Sequence, residues 1–304
     1  MASPTIQRRR LGKALRRARE EARKSQDDAA AAIDAAKSKI VRLEKGHSGL
    51  RVTDLNVLLD LYGVTGGDTD WMREMARTGR QRGRWSAYRN VTPDWFVSYL
   101  DLEEDASEMR WYQSEVVPGV LQAESYVRAI LSTAQPSVAD DEVERRVKLR
   151  LERRAVLEST DRVLNFILSE SALRRNVGGD VVMAEQLRHL AEVAERSNVQ
   201  LQVLPFTART FSAATYGFIV LRFDHDTTSD VVYLEDYTDA AYLDQPEHVR
   251  AYNSLWNRLS AAALGQVESR DLIRDIADEH QQTTPEVSTD HEHPGTLPRG
   301  VEEE

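Results

Sequence analysis

Residues 26–46 read QDDAAAAIDAAKSKIVRLEKG, and this stretch decides how the amino-terminal part of the chain folds. A helix over Gln26–Ile33 places the small side chains of Ala29 and Ala30 where two helices must approach closely, and Asp34–Ala36 supplies a short turn. A second helix over Lys37–Lys45 sets Ile40 and Leu43 three positions apart, both facing inward. That leaves Lys37, Ser38, Lys39 and Arg42 facing outward, with Gly46 where a helix ends in a left-handed residue. A row of donors at the start of a helix is what hydrogen bonding to base edges and phosphates requires. The spacing therefore predicts a helix-turn-helix that binds double-stranded DNA.

Working outward, residues 1–5 carry no pattern and are expected to be loose. A first helix is expected from Gln7 to Ala22, with Leu11, Leu15 and Ala18 on its inner stripe. A fourth covers 52–63 with Leu55, Leu58, Leu59 and Tyr62 inward, Asp54 in its first turn and Gly63 as its stop. A fifth, from Asp68 to Thr78, completes a domain over residues 1–78. Residues 79–92, with GRQRGRWSAYRN at 79–90, break the pattern with two glycines and dense positive charge. They read as a basic linker, a hinge whose arginines either touch DNA backbone or only connect.

This amino-terminal segment resembles the DNA-binding domain of the λ-repressor-like (Xre-type) regulators. The resemblance rests on Arg19 in the first helix, Gln26 opening the second, and Ile40-Val41-Arg42-Leu43-Glu44-Lys45-Gly46 ending the third. It implies an internal ion pair between Arg19 and Glu44, and DNA contacts from Gln26, Lys37, Ser38, Lys39 and Arg42. Lys45 is assigned to phosphate. Val41, and Ala35-Ala36 ahead of the recognition helix, depart from the family pattern, so no base sequence carries over. One such domain offers a small contact area, so a homodimer on two half-sites about one helical turn apart is expected.

Charge supports the same division. The chain has 304 residues and a net charge of −10, but residues 1–90 hold 20 basic and 11 acidic residues, a net of +9. The remainder holds 20 basic and 39 acidic residues, a net of −19. A basic head on an acidic body suits DNA binding by the head alone. There is no cysteine, which excludes disulfides, thiol catalysis and Cys-based zinc sites. Neither a secretory leader nor a run of about 18 apolar residues occurs, so a cytoplasmic, nucleoid-associated protein with no membrane contact is expected.

Residues 93–279 predict a helical segment followed by a small mixed sheet flanked by helices, making the whole chain mainly α with an α/β carboxy-terminal part. Thr92-Pro93-Asp94 reads as a helix start, with the Thr92 hydroxyl as cap and Pro93 first in the helix. Trp95, Tyr99, Leu102, Ala106 and Met109 follow at 4-3-4-3 spacing, a stripe open to two uses: a dimer seam or packing on its own domain. Val117-Pro118-Gly119 turns the chain into a helix over Gln122–Ser132. A long, mostly solvated helix over Asp140–Glu158 is expected to carry the pairs Glu142–Arg146 and Glu144–Lys148. Strand patterns begin after residue 160, at Val163–Ser169, Val199–Leu204, Phe218–Phe223 and Val231–Glu235. A helix over Val181–Arg196 makes the first two a βαβ-like unit, and Asp224–Asp230 suits a hairpin loop between the last two. Helices over Pro246–Leu264 and Glu268–Glu279 close the domain, and residues 280–304 form a polar, acidic tail expected to be disordered.

The order RWSAY, WFVSYLDLEEDA, VPGVLQAESYVRAIL, RRVKLRLERRAVLE, LSESALRRNVGG, QLRHLAE, VQLQVLPF and VVYLED resembles an actinobacterial group of Xre-type regulators whose carboxy-terminal half is a domain of unknown function. The resemblance implies a transcriptional regulator, often encoded beside a very small partner protein in an antitoxin-like arrangement.

Enzyme chemistry finds little material. Glu170, Glu235 and Asp236 fall near strand ends, where sites in mixed sheets gather. His291-Glu292-His293 has metal-ligand residue types but sits in the tail, and Gly178-Gly179 is a turn without a phosphate-loop pattern. The loop FTARTFSAATYG (206–217) is either a pocket wall or a surface connection. No catalytic residue, metal site or cofactor is expected. Three functions stand: a DNA-binding regulator whose second domain dimerises and binds a small protein, the same head with a small-molecule sensor, and an enzyme fused to a DNA-targeting head.

Overall fold

The structure, a computed structural model, describes residues 3–66, 68–81, 83–134, 139–209, 216–224 and 230–283. Five helices build the head: α1 (Pro4–Glu21), α2 (Gln26–Ala32), α3 (Lys37–Glu44), α4 (Val52–Tyr62) and α5 (Asp68–Thr78). Helix α1 starts earlier than its periodicity predicts. The Ser3 hydroxyl accepts the Ile6 N–H, and Pro4 takes the first turn, where its missing N–H costs nothing. Residues 3–5 are therefore not loose. Thr5 and Ile6 are buried, because their partners lie on the body rather than in the local sequence.

Helix α2 opens with a reciprocal cap: Asp28 N–H donates to the Ser25 hydroxyl (3.0 Å) and Ser25 N–H donates to the Asp28 carboxylate (2.8 Å). Ala29 and Ala30 are buried against Ile40, Leu43, Leu55, Leu58 and Leu59. Burying a side chain such as Ile40 stabilises the head by roughly 1.5–3 kcal/mol. Gly12 lets α1 and α3 meet, since a Cβ there would lie 2.3 Å from the Leu43 carbonyl oxygen. Gly46 is fixed twice over, by its φ of +71° and by Arg9, whose Cα would be 2.6 Å from an added Cβ.

The expected linker is docked. Arg84–Tyr88 forms a 3-10 turn, and Trp85 buries its ring in the body's core while its Nε1–H donates to Glu104 at 2.9 Å. Arg84 lies over that indole and pairs with Glu104, and Arg89 stands 3.7 Å from Asp94. These two arginines are thus engaged by the body's own acids.

The body runs α6 (Asp94–Asp105), β1 (Glu108–Gln113), α7 (Glu124–Ala134), α8 (Asp140–Arg153), β2 (Val163–Ser169), α9 (Glu170–Arg174), α10 (Asp180–Val193), β3 (Val199–Leu204), β4 (Phe218–Arg222), β5 (Val231–Glu235), β6 (Ala240–Leu243), α11 (Pro246–Ala262) and α12 (Gln266–Thr283). The strands form one mixed sheet in the order β3-β2-β1-β4-β5-β6. The first three are parallel, and β4, β5 and β6 continue antiparallel. One face, with Met109, Trp111, Phe166, Leu201 and Tyr233, packs with α6, α10 and α12. The other, with Tyr112, Ile167 and Val220, is covered by Trp256 and Leu259 of α11.

Two strands escape the sequence pattern. The central strand β1 reads EMRWYQ, and its Met109 continues the helical spacing of the residues before it. At Ala106 the backbone turns extended, so Met109 belongs to the strand. Strand β6 is a four-residue edge. Helix α6 also begins one step later than expected: Pro93 is itself the extended cap residue, and Thr92 makes no cap hydrogen bond. The open question of the stripe resolves inward, with Tyr99, Leu102, Ala106 and Met109 all buried in the body's own core.

The expected long helix stops at Arg153 and continues as a 3-10 turn, and its last turn is not solvated, since Leu149 and Arg153 are buried. Glu142–Arg146 pairs at 2.5 Å, but Glu144 pairs with Arg128 of α7 rather than Lys148. Residues 280–283 extend α12, whereas 284–304, including His291-Glu292-His293, lie outside the described residues, as do 210–215 of the loop at 206–217 and 225–229 of the hairpin loop.

Candidate nucleic-acid interface

One carboxylate organises the recognition unit. Glu44, at the end of α3, accepts from Arg19 Nε (2.5 Å) and a second guanidinium nitrogen (3.1 Å). It also accepts from the Gln26 amide at 2.9 Å. A carboxylate has only acceptors, so Gln26 must turn its NH2 inward and keep its carbonyl oxygen for an outside partner. A further Arg19 donor reaches the Lys24 carbonyl (3.0 Å), so one cluster ties α1, α2 and α3 together. Hydrogen bonding to Glu44 raises the Arg19 pKa above its ordinary value.

At about 100° per residue, Ser38, Arg42 and Lys45 fall on one outward row of α3. Lys37 and Lys39 lie about 100° to either side of it. Ile40 and Leu43 anchor the opposite face, each almost fully buried. Ser38, Arg42 and Lys45 are exposed in the intact chain, and the Arg42 guanidinium makes no hydrogen bond or ion pair among the described residues. The two flanking lysines do not stand free: Lys37 pairs with Asp27 of α2 (2.8 Å) and Lys39 with Asp54 of α4 (3.0 Å). Exposed pairs of this kind contribute roughly 0–1 kcal/mol, so a phosphate displaces them at small cost.

The electrostatics of α3 are unusual for a solvated helix. Its cap residue, Ala36, offers no side-chain hydrogen bond, and its first turn has no acidic residue but carries Lys37 and Lys39. Cations at the positive end of a helix are unfavourable by about 0.3–1 kcal/mol each, and an external anion would relieve this. Arg51 stands at the exposed cap position of α4, again without a side-chain cap, although Asp54 in that first turn supplies an acid that α3 lacks. In the sequence, a base at a helix start is the signal that marks Arg51.

Behind Lys45, a groove of about 780 Å³ separates the basic face of α1, with Arg10, Lys13 and Arg17, from Asp244 and Glu247 of the body. Arg9 crosses it, pairing with Asp244 (2.7 Å) and lying 5.9 Å from the Tyr242 ring. Beside this contact the Thr5 hydroxyl donates to Asp101 (2.7 Å) and Ser3 N–H donates to Asp105 (2.7 Å). The head is thus held to α6 and β6 by the opposite end of α1, and its recognition row remains open.

In the body, Glu170 lies apart from the other two carboxylates near strand ends, Glu235 and Asp236, which line one hollow together. Glu170 pairs with Arg174 and accepts the Phe206 N–H, while Glu235 accepts from the Tyr233 hydroxyl at 3.0 Å. Asp236 accepts the backbone N–H of Tyr237. Among the described residues there is no group of three metal-ligating side chains, and no helix is long and apolar enough to cross a membrane.

Residues 10–72 match a helix-turn-helix domain, and residues 96–275, more than half of the chain, match a domain of unknown function, DUF5753. No curated protein and no solved structure matches the chain. The helix-turn-helix match spans Arg19, Gln26 and all of α3, and the other match begins in α6 and ends in α12. The chain therefore belongs to the DUF5753 family, with a helix-turn-helix domain ahead of the family's own.

Proposed function

We propose that the protein is a sequence-specific DNA-binding transcriptional regulator of the Xre type, working as a homodimer on two half-sites. The observation that carries this reading is the exposed row of Ser38, Arg42 and Lys45 on a helix locked in place by the Glu44 cluster. Arg42 takes the base edge, because a guanidinium without an internal partner is free to bond a guanine through O6 and N7. Lys37 and Lys39, on the flanks, and Lys45, at the end of the row, take phosphates. Gln26 presents its carbonyl oxygen to a donor on the DNA. A protein of this action works in the cytoplasm, where the chromosome is. The reading assigns the chain no catalytic step.

The test is a gel-shift titration on an operator selected from random oligonucleotides. Arg42→Ala is expected to lower specific affinity by roughly 1–3 kcal/mol while leaving the fold intact. Unchanged affinity for the selected site removes Arg42 from the base-reading role. Sedimentation showing only monomer, free and on DNA, removes the dimer.

For the body, a small protein partner in an antitoxin-like arrangement fits the family resemblance. Small-molecule sensing is the second reading, and a specific observation favours it: a hollow lined by aromatic rings and two arginines at the end of β1.

A further inference from the structure

The hollow measures about 430 Å³ and lies where the chain reverses its progress across the sheet, between the carboxy-terminal end of β1 and the start of β4. Crevices at such reversals are where open α/β sheets take ligands. Part of its floor is an ion pair stacked on aromatic rings. Arg153 donates twice to Glu103, at 3.0 and 2.7 Å, and lies over the rings of Phe96 (5.1 Å) and Tyr99 (5.5 Å). Tyr99 stacks on Tyr233 with centroids 4.3 Å apart.

Arg150, one turn earlier on α8, is different. Its guanidinium donates to the Gln122 side-chain oxygen at 2.6 Å, and Gln122 is itself buried and pinned by its amide to the Val117 carbonyl (2.7 Å). The guanidinium is thus oriented by a fixed neutral group and has no carboxylate within ion-pair distance. Burial and the neighbouring Arg153 charge press its pKa down to about 10, against a weaker upward pull from Glu235. Glu235, on the same hollow, also lacks a cationic partner and holds only the Tyr233 hydroxyl. One guanidinium, Arg150, and two carboxylates, Glu235 and Asp236, therefore line a single aromatic-walled space, and none of the three has an ion-pair partner within 4 Å among the described residues.

We propose that this hollow binds a small aromatic acid: its carboxylate lies on Arg150, its ring lies among Phe96, Trp111 and Tyr237, and a hydroxyl or amino donor on the ring meets Glu235. The proposal rests on the sensor reading of the body, and names the ligand class. An anionic group supplies the counter-charge that Arg150 lacks, in the forked geometry a guanidinium favours. The mix of apolar wall and few converging polar groups is that of a small-molecule site.

The test is calorimetric titration of the full chain, without DNA, using 4-hydroxybenzoate, benzoate, benzylamine and inorganic phosphate as probes. 4-Hydroxybenzoate is expected to bind at one site per chain, tighter than benzoate, with benzylamine silent and phosphate weaker than either acid. Arg150→Gln should weaken 4-hydroxybenzoate roughly tenfold or more, and Glu235→Gln should erase its advantage over benzoate. Tyr237→Ala, on a fully solvated rim residue that no fold requires, should weaken both acids and serves if Arg150→Gln does not fold. No binding of either acid at concentrations on the order of 10 mM overturns the proposal. So does equal binding to the Arg150→Gln and parent chains, or binding of benzylamine in preference to the acids. Acid binding that leaves operator affinity unchanged supports the site and refutes sensing, so the two ideas fail separately.

Discussion

Head and body each contain a largely buried Arg–Glu pair joined by two hydrogen bonds, and the two pairs do different work. In the head, Arg19 and Glu44 keep about a tenth of their side-chain surface exposed and share Glu44 with Gln26, a residue at the candidate DNA surface. In the body, Arg153 and Glu103 are almost completely buried and flanked by the rings of Phe96 and Tyr99. The first pair joins three helices and positions an outward-facing group. The second pair carries α8 against α6 beneath a hollow, and its attraction acts in surroundings with little water to screen it. A buried pair of this kind is not a large net source of stability, but removing one partner strands a charge.

That contrast can be broken by substitution. Glu103→Ala leaves Arg153 buried without a counter-charge and is expected to destabilise the body by about 3–5 kcal/mol, measured as a lowered calorimetric melting transition. A loss under about 1 kcal/mol would show that water reaches Arg153 and that the two pairs are alike. Glu44→Ala should cost less, about 1–3 kcal/mol, because Arg19 keeps the Lys24 carbonyl and some solvent. Its larger signature is at the surface: with Gln26 released, operator affinity should fall even under conditions where the head stays folded.

Lys37→Ala sharpens the comparison from the other side. The exposed pair with Asp27 contributes so little that stability should change by less than about 1 kcal/mol, while the salt dependence of DNA binding loses about one phosphate contact. An unchanged salt slope would return Lys37 to a purely structural pairing.

The smallest effect is expected where the two regions meet. Burial pushes the carboxyls of Asp101 and Asp105 up, outweighing the hydrogen bonds from Thr5 and Ser3 that hold them down. A carboxyl raised in the docked state binds a proton there more readily than after undocking. Docking should therefore strengthen as pH falls through the window just above the ordinary aspartate range, and weaken as pH rises through it. Fluorescence transfer between dyes on the head and the body reads this directly. Asp101→Asn should flatten the slope, and an opposite slope in the parent chain would show that the hydrogen bonds outweigh burial.

Legibility followed the range of the interactions. The helix-turn-helix was readable because Ile40, Leu43, Ala29 and Ala30 stand at spacings fixed by helix geometry, and Gly46 stops the helix at its end. Strands β2, β3 and β5 were readable because branched and aromatic residues concentrate within each. Strand β1 was not, since Glu108 and Arg110 break its apolar run. They are held instead by Arg222 and Asn253, more than a hundred residues away. The linker misled for a similar reason: its glycines and arginines look flexible, but Trp85 has a binding place that only the folded body provides.

The amino-acid order alone determined the recognition helix, its outward donors and the division into a basic head and an acidic body, because periodicity and charge are local properties of the chain. Only the tertiary structure decided that Lys37 and Lys39 are tethered while Arg42 is not, that α1 begins at Pro4 against α6, and that Arg150 faces a hollow without a counter-charge. Each depends on groups brought together across turns, strands or whole domains. Burial and charge at such places are set by what packs nearby, which the covalent neighbours of a residue do not encode.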